Sequence, residues 1–278
     1  MINFNGTISS EDNLLTNNRG LLYGDSVFET VKILDGKILF VEDHYFRLMA
    51  SMRIVRMEIP MNFTMEFFDE QILSLAKAEN LEKSSRARVT IFRKEGGLYL
   101  PKDRNVSFLI SVSQLENAVY SIEKENYEVE LYKDFIVTKH LLSTIKSSNR
   151  LINVTGSIFA DENGYDNCLL INDDKNVIEA LNGNLFMLMG NKLITPPISE
   201  GCLNGVMRKQ ILALARKMES LEVVEEPISP FDLQKADELF VTNVIKGIQP
   251  ITKYRKKDYE AKISKEILLR LNAQIRLG

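Results

Sequence analysis

The sequence predicts an α+β protein built as two domains, on three observations. Short alternating runs are joined by hairpin signals such as Asp35-Gly36 and Gly190-Asn191. Helical-period segments stand among those hairpins instead of alternating strictly with strands, which argues against a run of βαβ units. The polar stretch 114–126 has no strong period and reads as a linker, which divides the chain into residues 1–118 and 119–278.

In chain order, residues 2–8 predict a short strand with a possible tight turn at Asn5-Gly6. Gly24-Asp25 marks a turn, and residues 27–33 alternate apolar and polar as a half-buried strand does. Asp35-Gly36 closes a hairpin into residues 37–40. Residues 42–55 follow a helical period, with Phe46, Leu48, Met49, Met52 and Val55 on the apolar flank, and Pro60 is expected to stop the helix. Residues 65–80 predict a second helix with Phe68, Ile72, Leu75 and Ala76 on one face. Strands follow at 87–92 and 106–112, with 93–101 as the loop between them.

Beyond the linker, strand alternation resumes over 127–132. Lys146 falls where the next helix is expected to begin, and that helix carries Leu151, Val154 and Ile158. Residues 167–172 and 177–180 predict paired strands around a turn at 173–176, and 185–189 with 192–194 predict another hairpin. Residues 206–219 predict an amphipathic helix with Val206, Ile211, Leu214 and Met218 inward. A short strand at 238–241, a loop at 242–247 and a helix over 258–275 complete the chain.

Composition narrows the function. With 278 residues, 45% hydrophobic and 26% charged, the chain has the balance of a soluble globular protein. A net charge of −3 and the lack of a basic stripe give no reason to expect a nucleic-acid partner. No apolar run reaches the roughly 18–20 residues a membrane helix needs, and residues 1–10 carry no signal pattern, so the cytoplasm is expected. Cys168 and Cys202 lie far apart in no ligand spacing, and both read as packed small hydrophobes. With only His44 and His140, neither a multi-histidine metal site nor a histidine triad is expected.

Four features carry possible chemistry. Lys146, in Thr144-Ile145-Lys146-Ser147-Ser148-Asn149, has apolar and small neighbours that permit burial. A desolvated lysine can bond a carbonyl carbon, although a solvated surface lysine is the commoner case. Glu179 lies in the apolar run Val177-Ile178-Glu179-Ala180, where it faces either solvent or a buried cationic partner such as a protonated ring nitrogen. Gly205-Val206-Met207 opens a helix, whose unpaired amides suit a phosphate as well as they suit water. Arg47, mid-helix, is either a phosphate fork or a solvated charge.

Their order and spacing resemble one family, the class IV (fold-type IV) pyridoxal-phosphate enzymes. These include branched-chain and D-amino-acid aminotransferases and aminodeoxychorismate lyases. The resemblance runs from about Arg19 to Pro250, through Tyr23-Gly24-Asp25-Ser26-Val27-Phe28-Glu29, His44-Tyr45-Phe46-Arg47-Leu48 and Lys146-Ser147-Ser148-Asn149. The family's signature segment is matched by Glu179, Asn184, Phe186, Thr195, Gly205 and Arg208. The resemblance implies a two-domain fold with pyridoxal 5'-phosphate in the cleft between the domains. It implies that Lys146 is the Schiff-base lysine and proton shuttle, that Glu179 partners the ring nitrogen, and that Arg47 binds the phosphate. Val206 and Met207 then supply the phosphate-cradling amides, and Thr242 and Asn243 belong to the loop that completes the phosphate site.

Leu181, Met207 and Val244 depart from the family pattern at positions where relatives carry small or hydroxyl residues. Phe28 and the 93–101 loop are expected at the substrate, with Arg93 or Lys94 binding a carboxylate. The implied partners are amino-acid and 2-oxo-acid substrates and a second copy of the chain in a homodimer. Asn149-Arg150 and Asn204-Gly205-Val206-Met207-Arg208 resemble the lyases, whereas Phe28-Glu29-Thr30 is shared with transaminases. A transaminase leads, with the pyruvate-releasing lyase next and a non-catalytic homologue third.

Overall fold

Asn5-Gly6 folds the N-terminal run back on itself, so residues 2–8 contribute a hairpin of β1 (Ile2–Phe4) and β2 (Thr7–Ser9) rather than one strand. The computed structural model describes residues 1–9 and 17–277; Ser10, at the end of the polar N-terminal run, lies outside them. The chain forms two units: Met1–Ala118 with Ile145–Asn149, and Val119–Thr144 with Arg150–Gly278.

In the first unit, helix α1 (Arg19–Tyr23) is capped by the Asn18 side chain and ends at Gly24. Strand β3 (Ser26–Leu34) turns through Asp35-Gly36 into β4 (Lys37–Ile38). Helices α2 (Val41–Ile54) and α3 (Met65–Ala78) follow, then β5 (Ser84–Arg93) and β6 (Val106–Gln114). Among the described residues the sheet runs β2-β1-β6-β5-β3-β4. Phe68, Ile72, Leu75 and Ala76 of α3 face Val31 and Ile33 of β3 and Val89 and Ile91 of β5 in one buried cluster. Each large side chain there contributes about 1.5–3 kcal/mol by leaving water.

Three local expectations change. Strand β3 is buried along its whole length, not half-buried, because its second face is also covered. On α2, Phe46 is exposed and His44 and Ser51 are inside. The helix ends not at Pro60 but where Arg56 enters the left-handed region at φ 59°.

In the second unit, β7 (Glu128–Val137) leads through a 3-10 turn (Leu141–Thr144) to α4 (Leu151–Glu162). A meander of β8 (Asn167–Asn172), β9 (Val177–Ala180), β10 (Gly183–Met189) and β11 (Lys192–Thr195) precedes α5 (Val206–Ala215). Then come β12 (Glu222–Glu225), α6 (Pro230–Leu233), β13 (Glu238–Asn243), β14 (Gly247–Ile251), β15 (Lys253–Tyr254), β16 (Lys257–Asp258) and α7 (Ile263–Leu277). The sheet runs β12-β11-β10-β9-β8-β7-β15-β16, with β13 against β10 and β14 outside β13.

Helix α7 begins later than its period suggests, because Glu238 fixes its start. The Glu238 carboxylate accepts the amides of Lys262 and Ile263, both at 2.7 Å, and of Ser264 at 3.1 Å. Helix α5 stops at Ala215, short of the expected 219, yet Val206, Ile211, Leu214 and Met218 are all buried as expected. By contrast Leu151, Val154 and Ile158 of α4 point to solvent, and Gly156 and Ala160 pack inward. No described helix is long and apolar enough to cross a membrane. Both cysteines are free and buried, and burial pushes their thiols up, to about 11 for Cys168 and about 12 for Cys202.

Candidate active site

Lys146 stands in an extended segment, not at a helix start. Main-chain pairing fixes that segment to the beginning of β3. The Phe28 amide donates to the Lys146 carbonyl at 2.8 Å, and the Ser148 amide donates to the Ser26 carbonyl at 3.0 Å. The Ser26 hydroxyl donates to the Ser148 hydroxyl at 2.7 Å, and Asn149 Nδ2 donates to the Gly24 carbonyl at 3.1 Å. This pinning removes residues 145–149 from the second unit, where the sequence reading put Lys146. The half-buried lysine lays its Nζ 4.7 Å from the centre of the Phe28 ring. Arg88, from the neighbouring strand β5, stacks on the same ring at 3.7 Å.

Arg47 is held by a bidentate grip on Glu29. Its Nε donates to Oε1 at 2.7 Å and its Nη2 to Oε2 at 2.6 Å, while His44 Nδ1 lies 2.7 Å from Oε2. Burial pushes the Glu29 carboxyl up, but the Arg47 charge and the bonds from His44 and Arg47 outweigh it and hold the group at about 2. Burial, aided by the Arg47 and Lys146 charges, holds His44 below its ordinary value against the pull of Glu29. A neutral His44 that donates through Nδ1 leaves Nε2 as a bare acceptor, and that atom is buried without a partner. Glu29 therefore stays ionised and fixes the direction of the Arg47 guanidinium.

The second unit carries the other candidates on one ledge. Strand register sets Glu179 opposite Asn184 and Asn184 opposite Thr242. Two interstrand steps thus separate Glu179 from Thr242, about 10 Å at the usual spacing. Glu179 is 6% exposed, and its Oε2 accepts the Leu203 amide at 2.9 Å. The Asn184 side chain donates to the Leu203 carbonyl at 2.8 Å. A Cβ at residue 205 would lie 1.9 Å from Asn184 Oδ1, so glycine lets the start of α5 approach this strand without displacing the Asn184 amide.

Helix α5 has ten residues and no side-chain cap, which leaves the amides of Val206 and Met207 without helical partners. On the strand next to Asn184, which Gly205 approaches, Thr242 Oγ1 is buried and has no hydrogen-bond partner. A buried orphan hydroxyl next to uncapped amides fits an anion such as phosphate. Asn243 shapes the adjoining turn: its Oδ1 accepts the amides of Ile245 and Lys246 at 3.0 and 2.9 Å.

Several expected residues have other tasks. Arg93 is 9% exposed; it pairs with Asp25 and donates to the Val55 carbonyl, so its guanidinium frames the loop instead of facing a ligand. Asp25 also pairs with Arg19 at 2.9 Å, and Arg19 Nη1 donates to the Leu98 carbonyl at 2.7 Å. Lys94 is exposed, and its amide donates to the Asn105 carbonyl at 2.9 Å. Much of the signature segment is scaffold. Phe186 stacks on Phe240 at 5.1 Å, Thr195 Oγ1 donates to the Leu185 carbonyl at 2.7 Å, and Arg208 pairs with Glu225 at 2.7 Å. Of the three departures, Leu181 and Met207 are buried, and so is Val244, whose carbonyl accepts the Tyr120 hydroxyl.

Sequence reasoning missed Arg88, Glu29 and His44. Arg88 was marked by its alternation with Arg86, which sets both on the face of β5 away from Ala87 and Val89. Burial first, and the Arg86 charge second, lower the Arg88 guanidinium from its ordinary value. Glu29 and His44 gave no such signal, because a buried ion pair is made by residues distant in sequence.

Known proteins resemble this chain in sequence and in fold. The profile of the family described as amino-transferase class IV matches residues 26–254. A Methanocaldococcus jannaschii protein, provisionally named a branched-chain-amino-acid aminotransferase, is 31% identical over 84% of this chain and 79% of its own. A D-alanine aminotransferase of Bacillus licheniformis is 27% identical over 90% of this chain and 86% of its own. The crystal structure of the 4-amino-4-deoxychorismate lyase from Pseudomonas aeruginosa has the same fold, with a TM-score of 0.86 at 22% identity over 99% of each chain.

Proposed function

The chain belongs to the class IV aminotransferases, and from that premise we propose that it is a pyridoxal-phosphate-dependent transaminase that exchanges an amino group between an amino acid and a 2-oxo acid. The reading rests on one observation above the rest: the Glu179–Asn184–Thr242 ledge, with the uncapped start of α5 beside it. A carboxylate and an anion site held two strand steps apart in one sheet suit a cofactor that has a ring nitrogen at one end and a phosphate at the other.

Glu179 would hold the ring nitrogen. Thr242, Asn243, the Val206 and Met207 amides and Arg47 would hold the phosphate, and Lys146 would be the attachment point. When bound, the cofactor supplies a carbonyl carbon for amine exchange and an electron-accepting ring. The protein then moves protons and fixes directions. Lys146 Nζ takes the α-proton of the amino acid and holds it for return. Phe28 keeps water from one side of that amine. Leu203 fixes the Glu179 carboxylate through its amide, and Glu29 aims Arg47. Arg88, not Arg93, is the cation available on the Lys146 side for a substrate carboxylate.

A transaminase is favoured over the lyase because the Methanocaldococcus and Bacillus relatives, similar in sequence, bear aminotransferase names, whereas the lyase likeness is one of fold. To test this, the protein would be given pyridoxal phosphate, a panel of L- and D-amino acids and a 2-oxo acid, and products would be measured by chromatography. Equal amounts of new amino acid and new 2-oxo acid are expected. Pyruvate and 4-aminobenzoate formed from aminodeoxychorismate alone would make the chain a lyase. No turnover in either assay would leave a non-catalytic homologue.

The second copy of the chain is part of this reading. Leu151, Val154 and Ile158 recur on one face of α4 at 77%, 52% and 52% exposure, and Leu141 and Leu142 lie exposed in the turn before it. Such a stripe suits a homodimer, which the family resemblance also implies. Val154→Lys with Ile158→Lys is expected to weaken the dimer at least about 30-fold, as measured by sedimentation velocity. A wild-type monomer at working concentrations would sink this assignment. The free, buried cysteines support the cytoplasm as the place of work.

A further inference from the structure

The linker at 114–126, read from sequence as an exposed connection, hides a buried aromatic residue. Tyr120 is 4% exposed, and its hydroxyl donates to the Val244 carbonyl at 2.5 Å. Its side chain packs against Gly247, where an added Cβ would meet ring atoms at 2.7 and 2.9 Å and the tyrosine Cβ at 3.0 Å. Gly247 has a φ of +75°, so glycine is required there for backbone reasons as well. Both ends of the turn at residues 243–247 that follows Thr242 are therefore set against one side chain.

Tyr120 is itself fixed from behind. Its amide donates to Asn272 Oδ1 at 3.1 Å, and Asn272 Nδ2 donates back to the Tyr120 carbonyl at 2.8 Å. The next residues bind along the outer edge of β14. The Lys124 main chain exchanges bonds with the Gln249 side chain at 3.3 and 2.9 Å, the Tyr127 amide donates to Thr252 Oγ1 at 2.7 Å, and the Thr252 amide donates to the Tyr127 carbonyl at 2.9 Å. Glu123 pairs with Lys246, inside the turn itself, at 2.8 Å. The linker is thus a strap that lies along β14 and grips the turn beside Thr242.

We propose that Tyr120 is a positioning residue for anion binding, which sets the affinity for the cofactor's phosphate through the 243–247 turn without touching the phosphate. The inference rests on the cofactor reading above. Burial pushes the Tyr120 phenol far above its ordinary range, so it stays protonated and donates to Val244. That donation holds the residue next to Asn243, whose side chain organises the Ile245 and Lys246 amides. Val244, lacking a hydroxyl of its own, contributes its carbonyl to this frame.

The test uses protein stripped of cofactor and titrated with pyridoxal 5'-phosphate and with pyridoxal, which lacks the phosphate. Tyr120→Phe keeps the ring and removes the donor. It is expected to raise the Kd for pyridoxal phosphate about 5-fold, the size of one lost hydrogen bond, with the Kd for pyridoxal unchanged. Amide hydrogen exchange at Ile245 and Lys246 is expected to quicken while exchange in β8 and β9 stays the same. Asn272→Ala, which frees the main chain of Tyr120, is expected to act in the same direction. Because the two act through one contact, the double variant should lose less than the product of the single losses. Unchanged affinity for pyridoxal phosphate in Tyr120→Phe, with wild type binding normally, would overturn the inference alone. Equal losses for both ligands would also overturn it, since they mark a general loss of structure. Wild type that binds no pyridoxal phosphate would bring down the cofactor reading, and this inference with it.

Discussion

Lys146→Ala is expected to lower kcat for transamination by about 10⁴-fold or more, because in the proposed function one atom, Nζ, would be both the attachment point and the proton carrier. The fold is expected to survive, since residues 145–149 are tied to β3 by main-chain bonds and by the Ser26–Ser148 and Asn149–Gly24 contacts, none of which uses the lysine side chain. Thermal melting within a few degrees of wild type would confirm that. Under the proposed function the variant should still bind pyridoxal phosphate, because the residues proposed for the phosphate and the ring nitrogen remain, but its visible absorption should differ from that of the wild type. Added small amines should restore part of the rate by replacing the missing Nζ. A variant that keeps more than a few per cent of the wild-type rate would remove Lys146 from the chemistry.

Glu179→Gln is expected to lower kcat by about 10²-fold, corresponding to roughly 3 kcal/mol of electrostatic stabilisation. Glutamine keeps an oxygen to accept the Leu203 amide and loses only the charge, so the melting temperature should hardly move. Glu179→Ala, by contrast, also leaves the Leu203 amide without its partner in a nearly closed site, which costs about 1–3 kcal/mol of stability. Comparing kcat and melting temperature across the two variants separates the charge from the scaffold. Full activity in Glu179→Gln would show that a carboxylate is not needed opposite the ring, and the cofactor assignment of the ledge would fail.

Local pattern was legible wherever local forces decide. The face of α3 was read residue by residue, because its period, its Thr64 cap and its apolar stripe agree. Strands β8 and β9 and the turn between them were found because the Asp173-Asp174-Lys175-Asn176 turn interrupts two apolar runs. The same rules failed where a second contact overrides them. Strand β14 was missed because Pro250 argues against a strand; it is tolerated there since, among the described residues, β14 pairs with β13 alone. Strand β12, only four residues long, pairs in parallel with β11, a partner that no local pattern identifies. The stripe of Leu151, Val154 and Ile158 on α4 was read as part of a helix, but its exposure was not legible, because a hydrophobic period does not say which surface it meets.

The candidate site divides in the same way. The sequence by itself determined which residue types occur in which order: a lysine after a strand, a carboxylate in an apolar run, a glycine before a helix. It also determined the turns and helix faces, because dihedral preferences and side-chain periods act within a few residues. Only the tertiary structure decided which polar group answers which. It moved Lys146 into the first unit, committed Arg93 to Asp25, set Arg47 on Glu29, brought Arg88 over Phe28 and folded Tyr120 against Gly247. Each of these joins groups that local pattern does not connect. A buried charge or hydroxyl must take whatever partner the packed fold brings within about 3 Å.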